Sequence, residues 1–126
     1  GRTTDQPELL RQAEEQLLSV EDMGRDLGSP HISITAMGQR AEALRFQDRL
    51  GEAEALYHRA ALRADAQHME KVAADLLYNR AIVLNEASRN QEARETMLEA
   101  RRRYEAIGDA SSERDAVASL ERWKIA

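Results

Sequence analysis

The sequence contains no cysteine and only two prolines, and both scarcities narrow the range of folds. Without cysteine the chain has no disulfide framework and no thiol chemistry. With so little proline and six glycines, few positions interrupt a helix, so long helices are favoured. Aromatic residues make up 4% of the chain, whereas alanine occurs 21 times. A core so rich in alanine is typical of helices that pack closely on one another.

Negative charge exceeds positive charge, and long apolar runs are absent. The formal net charge is −5, which argues against nucleic acid as the main partner, because such partners usually meet a basic face. No apolar run approaches the roughly 20 residues that a membrane span needs, so we expect no membrane partner. No signal peptide is visible, and we expect a cytoplasmic protein. The chain starts Gly1-Arg2 without an initiator methionine, which is typical of a piece of a larger protein.

Side chains for catalysis or metal binding do not form a known pattern. The three histidines, His31, His58 and His68, are not spaced four apart as a zinc-binding helix requires. The carboxylates are scattered rather than paired, and no glycine-rich phosphate loop occurs. We therefore predict a non-enzymatic protein with no catalytic residue, no metal site and no cofactor.

Two stretches of the chain match each other 40 residues apart. The landmarks of the first are Met37, Ala41, Leu44, Ala53, Tyr57 and Ala60, and those of the second are Leu77, Ala81, Leu84, Ala93, Met97 and Ala100. A fixed period of this size is the signature of a repeat protein. The flanks continue the register, since Ala13 stands 40 residues before Ala53. We predict one domain over 1–126, with a half repeat (5–28), two repeats (30–67 and 70–107) and a C-terminal capping helix (110–125).

This order of large and small residues resembles the tetratricopeptide repeat, a helix–turn–helix unit. The stretch 51–60 (GEAEALYHRA) resembles the repeats of kinesin light chains, and the period of 40 resembles the longer repeats of Pins-type scaffolds and bacterial regulators. The chain departs from the family in having Arg40 and Arg80 where a large apolar residue is usual. We expect their stems to pack along the helix pair while their heads reach carboxylates, and the alternative is a ligand role. The resemblance implies an all-α fold, a right-handed antiparallel α–α superhelix of about six helices.

Apolar spacing and breakers place the helices at about 7–26, 30–46, 49–66, 70–87, 91–106 and 110–124. Leu10, Ala13, Leu17 and Val20 form the predicted buried stripe of the first helix. Gly28 and Gly108 are predicted to end helices, and Ser29-Pro30 to open one. Asp48, Asn90 and Asp109 are predicted N-caps. The connection at 66–68 contains no strong helix breaker, so a nearly continuous helix through these residues is an alternative to a turn.

The resemblance also implies that the first helix of each repeat lines a concave groove. The residues we expect to meet a partner there are Glu42, Arg45, Phe46, Tyr78, Asn79, Ile82, Asn85 and Arg122. Tyr78 and Ile82 would form an exposed apolar platform, with the asparagines bonding a peptide backbone. Arg45 or Arg122 would meet a carboxylate. The alternatives are ordinary solvated surface, or burial of Tyr78 and Ile82 by a neighbouring helix.

We therefore predict a non-catalytic protein–protein interaction module that binds a peptide or a partner helix in this groove, within a larger protein. Two alternatives stay open. One is a ligand- or peptide-responsive regulatory domain of a bacterial signalling or transcription regulator. The other is a homo-oligomerisation module that uses the exposed ends of the stack.

Overall fold

Six helices follow one another through the described part of the chain. The computed structural model describes the backbone of residues 5–26 and 28–125 and the side chains of residues 8–23 and 28–124. The helices, with no strand among these residues, are α1 (Asp5–Asp26), α2 (Pro30–Phe46), α3 (Leu50–Ala66), α4 (Glu70–Glu86), α5 (Asn90–Ala106) and α6 (Ala110–Ile125). The predicted all-helical fold is confirmed, and every helix end lies within two residues of its predicted position. The handedness of the stack stays a prediction.

Each 40-residue period of the sequence corresponds to one pair of helices with their two connections. Helices α2 to α5 contain 17 residues each, and three residues separate each helix from the next. Each helix packs against its neighbours in sequence. Helices α2, α4 and α6 are therefore the first members of successive pairs, and α3 and α5 are the second members.

The four turns between α2 and α6 close with the same pair of backbone hydrogen bonds. After α2, the Arg49 N–H donates to the Leu44 carbonyl and the Asp48 N–H donates to the Arg45 carbonyl, both at 2.9 Å. This arrangement is the Schellman motif, which holds one residue in the left-handed region. The residues in that region are Asp48, His68, Ser88 and Gly108, with φ of 61°, 58°, 62° and 75°. The connection at 66–68 is thus a true turn, and the nearly continuous helix is excluded.

The same motif explains two wrong capping predictions. Asp48 is not an N-cap, because it is the left-handed residue that ends the preceding helix. Asn90 is already the first residue of α5, and the N-cap position before it is Arg89, which makes no side-chain capping bond. The other two predicted starts are confirmed. Ser29 Oγ accepts the Ile32 N–H at 3.4 Å, and Asp109 Oδ1 accepts the Ser112 N–H at 3.1 Å.

The left-handed turn positions yield a stability prediction. Gly108→Ala should lower the free energy of unfolding by about 1 kcal/mol, because a Cβ at positive φ is strained. Ser88→Gly should raise it by about 0.5 kcal/mol by removing the same strain. The matched control is Gly51→Ala within α3, which should be stabilising, since an added Cβ there meets open space. Urea denaturation would measure all three, and an equal sign for both Gly→Ala variants would contradict this account of the turns.

The predicted small residues at the helix crossings are confirmed. The six alanines of the repeat landmarks, Ala41, Ala53, Ala60, Ala81, Ala93 and Ala100, are fully buried. Larger side chains such as Ile34, Leu56, Leu84 and Met97 fill the space beside them. Because alanine adds a single carbon beyond the backbone, helices that meet at these positions approach closely.

Helix α1 is less covered than its equivalent α3. It packs mainly on α2, whereas α3 has a helix on each side. None of the four residues of the predicted buried stripe is fully buried, because Leu10, Ala13 and Leu17 are half-buried and Val20 is 41% exposed. The equivalent of Val20 in α3, Ala60, is fully buried because both neighbouring helices cover it.

Candidate interaction groove

Two hollows lie beside each other along α4. The first, of about 250 Å³, lies between α2 and α4 and is lined by Ile34, Thr35, Gly38, Gln39, Glu42, Tyr57, Val72, Asp75, Leu76 and Asn79. The second, of about 290 Å³, lies between α4 and α6 and is lined by Asp75, Tyr78, Asn79, Tyr104, Ser112 and Asp115. Asp75 and Asn79 belong to both hollows. We call the surface lined by these residues the groove.

Glycine at position 38 brings α2 close to α4 beneath the first hollow. A Cβ built on Gly38 would lie 3.3 Å from Leu76 Cδ2, which is tighter than an ordinary van der Waals contact. The floor of this hollow is apolar, since Ile34, Val72 and Leu76 line it. An apolar side chain of suitable size therefore has matching contacts there.

The sequence-predicted groove residues divide into two sets. Glu42, Tyr78 and Asn79 line the hollows. The remaining five, which line neither hollow, are Arg45, Phe46, Ile82, Asn85 and Arg122. Phe46 is 62% exposed, whereas Ile82 and Asn85 are half-buried. The prediction that Tyr78 and Ile82 form one exposed platform is wrong, because both are half-buried and pack against the core, and only Tyr78 also lines a hollow.

Arg45 already binds a carboxylate of its own chain. Its Nε and Nη2 donate to the two carboxylate oxygens of Glu86 at 2.6 and 2.8 Å, which joins α2 to α4. The hydrogen bond from Arg45 lowers the pKa of Glu86, and the same bond raises the pKa of Arg45. The guanidinium also lies 5.9 Å from the ring centre of Phe46. A bidentate pair of this kind has a specific geometry, and it forms because the packing of α2 on α4 brings the two side chains together.

A second cluster joins α4 to the start of α6. Lys71 Nζ lies 2.7 Å from Asp109 Oδ2 and 3.2 Å from Asp75 Oδ1, and it donates to Ser112 Oγ at 3.1 Å. The hydrogen bond from Lys71, with those from Ser112, lowers the pKa of Asp109 to about 2. Asp75 Oδ1 also accepts the Tyr104 hydroxyl at 2.6 Å. The pKa of Tyr104 is raised mainly by burial and, to a smaller extent, by this hydrogen bond.

Sequence reasoning missed Tyr104 and Ser112 as groove residues. Tyr104 belongs to α5, a second helix of its pair, yet its hydroxyl reaches Asp75 on α4. The residue 40 positions earlier is Ala64, so the period carried no signal for an aromatic side chain here. Ser112 follows the predicted N-cap Asp109 by three positions, and that local motif is the signal that could have placed it near the cluster.

Ion pairs outside the groove repeat with the sequence. Arg49 contacts Glu14 at 3.0 Å, and 40 residues later Arg89 contacts Glu54 at 3.3 Å. Arg80 also contacts Glu54, at 2.8 Å, and Arg40 contacts Glu21 at 3.1 Å. The prediction that the heads of Arg40 and Arg80 reach carboxylates is confirmed.

The run Arg101-Arg102-Arg103 does not form a basic patch. Each arginine has a carboxylate partner, and the partners are Glu113, Glu99 and Asp65 in turn, with Arg103 bonding Glu99 as well. Consecutive helical residues point about 100° apart, so the three heads diverge. The run is a set of separate ion pairs near the end of α5.

The described part of the chain, residues 5–26 and 28–125, shows neither a metal site nor a membrane span. No group of three or more His, Asp and Glu side chains there is placed to hold a metal ion. No helix in that part of the chain combines the length and the apolar character needed to cross a membrane. Comparison of the chain with protein-family models, with curated proteins and with solved structures finds no match.

Proposed function

We propose that the chain is a non-catalytic protein-interaction module of the tetratricopeptide-repeat kind, which binds a peptide or a partner helix in the groove. The observation that carries the proposal is the pair of adjoining hollows on α2, α4 and α6, with Asn79 shared between them. The Asn79 amide offers two donors and an acceptor to an extended backbone that crosses from one hollow to the other.

The contacts around the groove support a rigid binding surface. Arg45–Glu86 ties α2 to α4, and Lys71–Asp109 ties α4 to the start of α6. A surface held in place before binding loses little conformational entropy when a partner arrives. Tyr78 lines the second hollow beside Asn79, where an aromatic ring gives a large contact area.

The test uses a peptide selected on the folded module from a displayed random-peptide library. Tyr78→Ala should weaken binding of that peptide at least thirtyfold, because truncating an aromatic anchor commonly costs about 2 kcal/mol or more. Fluorescence anisotropy titration gives the dissociation constants, and circular dichroism checks that the variant remains folded.

The control is Arg94→Ala, an exposed position on α5 that lines neither hollow. Its dissociation constant should match that of the wild type. Normal binding by Tyr78→Ala together with weakened binding by Arg94→Ala would move the interaction from the groove to the second helices.

A second candidate function is self-association through α1. Four of the seven exposed large hydrophobic side chains in the described residues lie on this helix, and they are Leu9, Leu18, Val20 and Met23. Leu9, Val20 and Met23 lie on one face of α1, whereas Leu18 lies on the opposite side. An apolar face of this kind on one end of a helical stack suits a second copy of the chain.

Sedimentation equilibrium tests this second candidate. The wild type should form dimers as its concentration rises, and Leu9→Glu/Met23→Glu should remain monomeric at every concentration. Both positions are more than half exposed, so the substitutions should leave the monomer fold unchanged. A wild type that sediments as a monomer throughout would remove this candidate.

A further inference from the structure

We infer that the groove selects a basic partner, a peptide segment in which Lys or Arg lies next to an apolar side chain. The inference rests on the proposed function, and it specifies the chemistry of the partner. It also reverses the sequence-based expectation that Arg45 or Arg122 meets an acidic group.

The first argument is the charge of the groove lining. The lining of the two hollows includes the carboxylates of Glu42, Asp75 and Asp115 and no Lys, Arg or His. Asp75 accepts bonds from Lys71 and Tyr104. Among the described residues Glu42 and Asp115 form no direct ion pair, and the charge of Glu42 acts on Arg45 only from a distance. Two unpaired carboxylates therefore face solvent on opposite sides of α4.

The second argument is that two cations beside the groove are already neutralised. Arg45 is held by Glu86, and Lys71 lies between Asp75 and Asp109. When the lining residues and these pairs are taken together, the carboxylates of Glu42, Asp75, Glu86, Asp109 and Asp115 outnumber the cations Arg45 and Lys71. Arg122 lines neither hollow, and its Nη2 donates to Ser119 Oγ at 3.0 Å.

An acidic segment would meet this surface at a disadvantage. It would place its carboxylates near Glu42 and Asp115, or it would have to break the bidentate bond between Arg45 and Glu86. Like charges that face each other across an interface weaken binding and slow the encounter, whereas opposite charges have the reverse effect. Complementarity of charge therefore favours a cationic segment.

The third argument is the apolar floor of the first hollow. Ile34, Val72 and Leu76 offer contact to an aliphatic or aromatic side chain, and Glu42 lies at the same hollow. Asp115 lies across α4 in the adjoining hollow, which shares Asn79. A segment that places an apolar side chain in the first hollow therefore brings its neighbouring residues beside a carboxylate.

The experiment selects peptides from a displayed random library on the folded wild-type module. The enriched peptides are then synthesised and titrated by fluorescence anisotropy against wild type, Tyr78→Ala, and the double variant Glu42→Gln/Asp115→Asn. Enriched peptides should contain Lys or Arg beside an apolar residue. The double variant should bind them about fivefold more weakly, which is the combined effect of two exposed ion pairs. Raising the salt concentration should weaken wild-type binding as well, because exposed charges are screened.

The matched control is Glu95→Gln/Glu105→Gln, which removes the same charge from exposed positions on α5. This variant should bind the peptides as wild type does. Equal weakening by both double variants would show an effect of net charge alone and would overturn the inference.

The remaining outcomes separate the inference from the proposed function. Enriched peptides that are neutral or acidic, and that depend on Tyr78 but not on Glu42 and Asp115, would overturn the basic partner and leave the groove as the binding surface. Peptides that bind Tyr78→Ala as tightly as wild type would overturn both.

Discussion

Replacing Glu54 with alanine should lower the free energy of unfolding by about 2–3 kcal/mol. Glu54 is only 9% exposed, and its carboxylate accepts hydrogen bonds from Arg80 at 2.8 Å and from Arg89 at 3.3 Å. Its removal leaves Arg80, whose side chain is largely buried between helices, without its carboxylate partner. A buried charge that loses its partner retains the cost of desolvation without the compensating attraction. Urea denaturation followed by circular dichroism would measure the loss.

Two variants separate this effect from a general loss of charge. Glu52→Ala removes a carboxylate that is mostly exposed and pairs with Arg49, so it should change the free energy of unfolding far less than Glu54→Ala does. Glu54→Leu/Arg80→Met replaces the buried pair by apolar side chains and should recover most of the stability that Glu54→Ala loses. Equal losses for Glu54→Ala and Glu52→Ala would mean that the buried pair does not hold the helices together.

Ala93→Leu should lower the free energy of unfolding by about 1–3 kcal/mol, through overpacking. Ala93 is fully buried in α5, which packs between α4 and α6. The three added carbon atoms of leucine require the neighbouring helices to separate or their side chains to leave preferred rotamers. The same loss is expected for Ala53→Leu, the equivalent position in α3.

The control for overpacking is Ala55→Leu, an exposed position on α3. Alanine and leucine both favour helices, so this substitution should change stability little. Thermal denaturation of the three variants would compare them directly. Ala93→Leu and Ala53→Leu could instead unfold at the same temperature as Ala55→Leu. That result would mean that the helix crossings have space for a larger side chain, and it would contradict the close packing at the alanines.

Local sequence signals were wrong at two of the turns, those of Asp48 and Asn90. Asp48 is favoured both as an N-cap and as a residue that tolerates positive φ, and the chain uses it in the second way. The turn at His68 has neither glycine nor proline, yet it is closed by the Met69 N–H, which donates to the Ala64 carbonyl at 2.9 Å. Which residue adopts the left-handed conformation depends on where the preceding helix stops, and the packing of the next helix fixes that position.

The sequence by itself determined the helices, their pairing into a 40-residue period and the alanines at their crossings, because periodicity and side-chain volume can be read along the chain. Only the tertiary structure decided which charges of the groove remain unpaired. Arg45 and Glu86 are 41 residues apart, and Lys71 and Asp109 are 38 residues apart, so neither bond can be predicted from the spacing of residues along one helix. An ion pair depends on the distance between side chains of different helices. That distance is set by the packing of the helices, through close contacts such as Gly38 against Leu76. The same packing places no cation in direct contact with Glu42 or Asp115, so both stay unpaired in the groove.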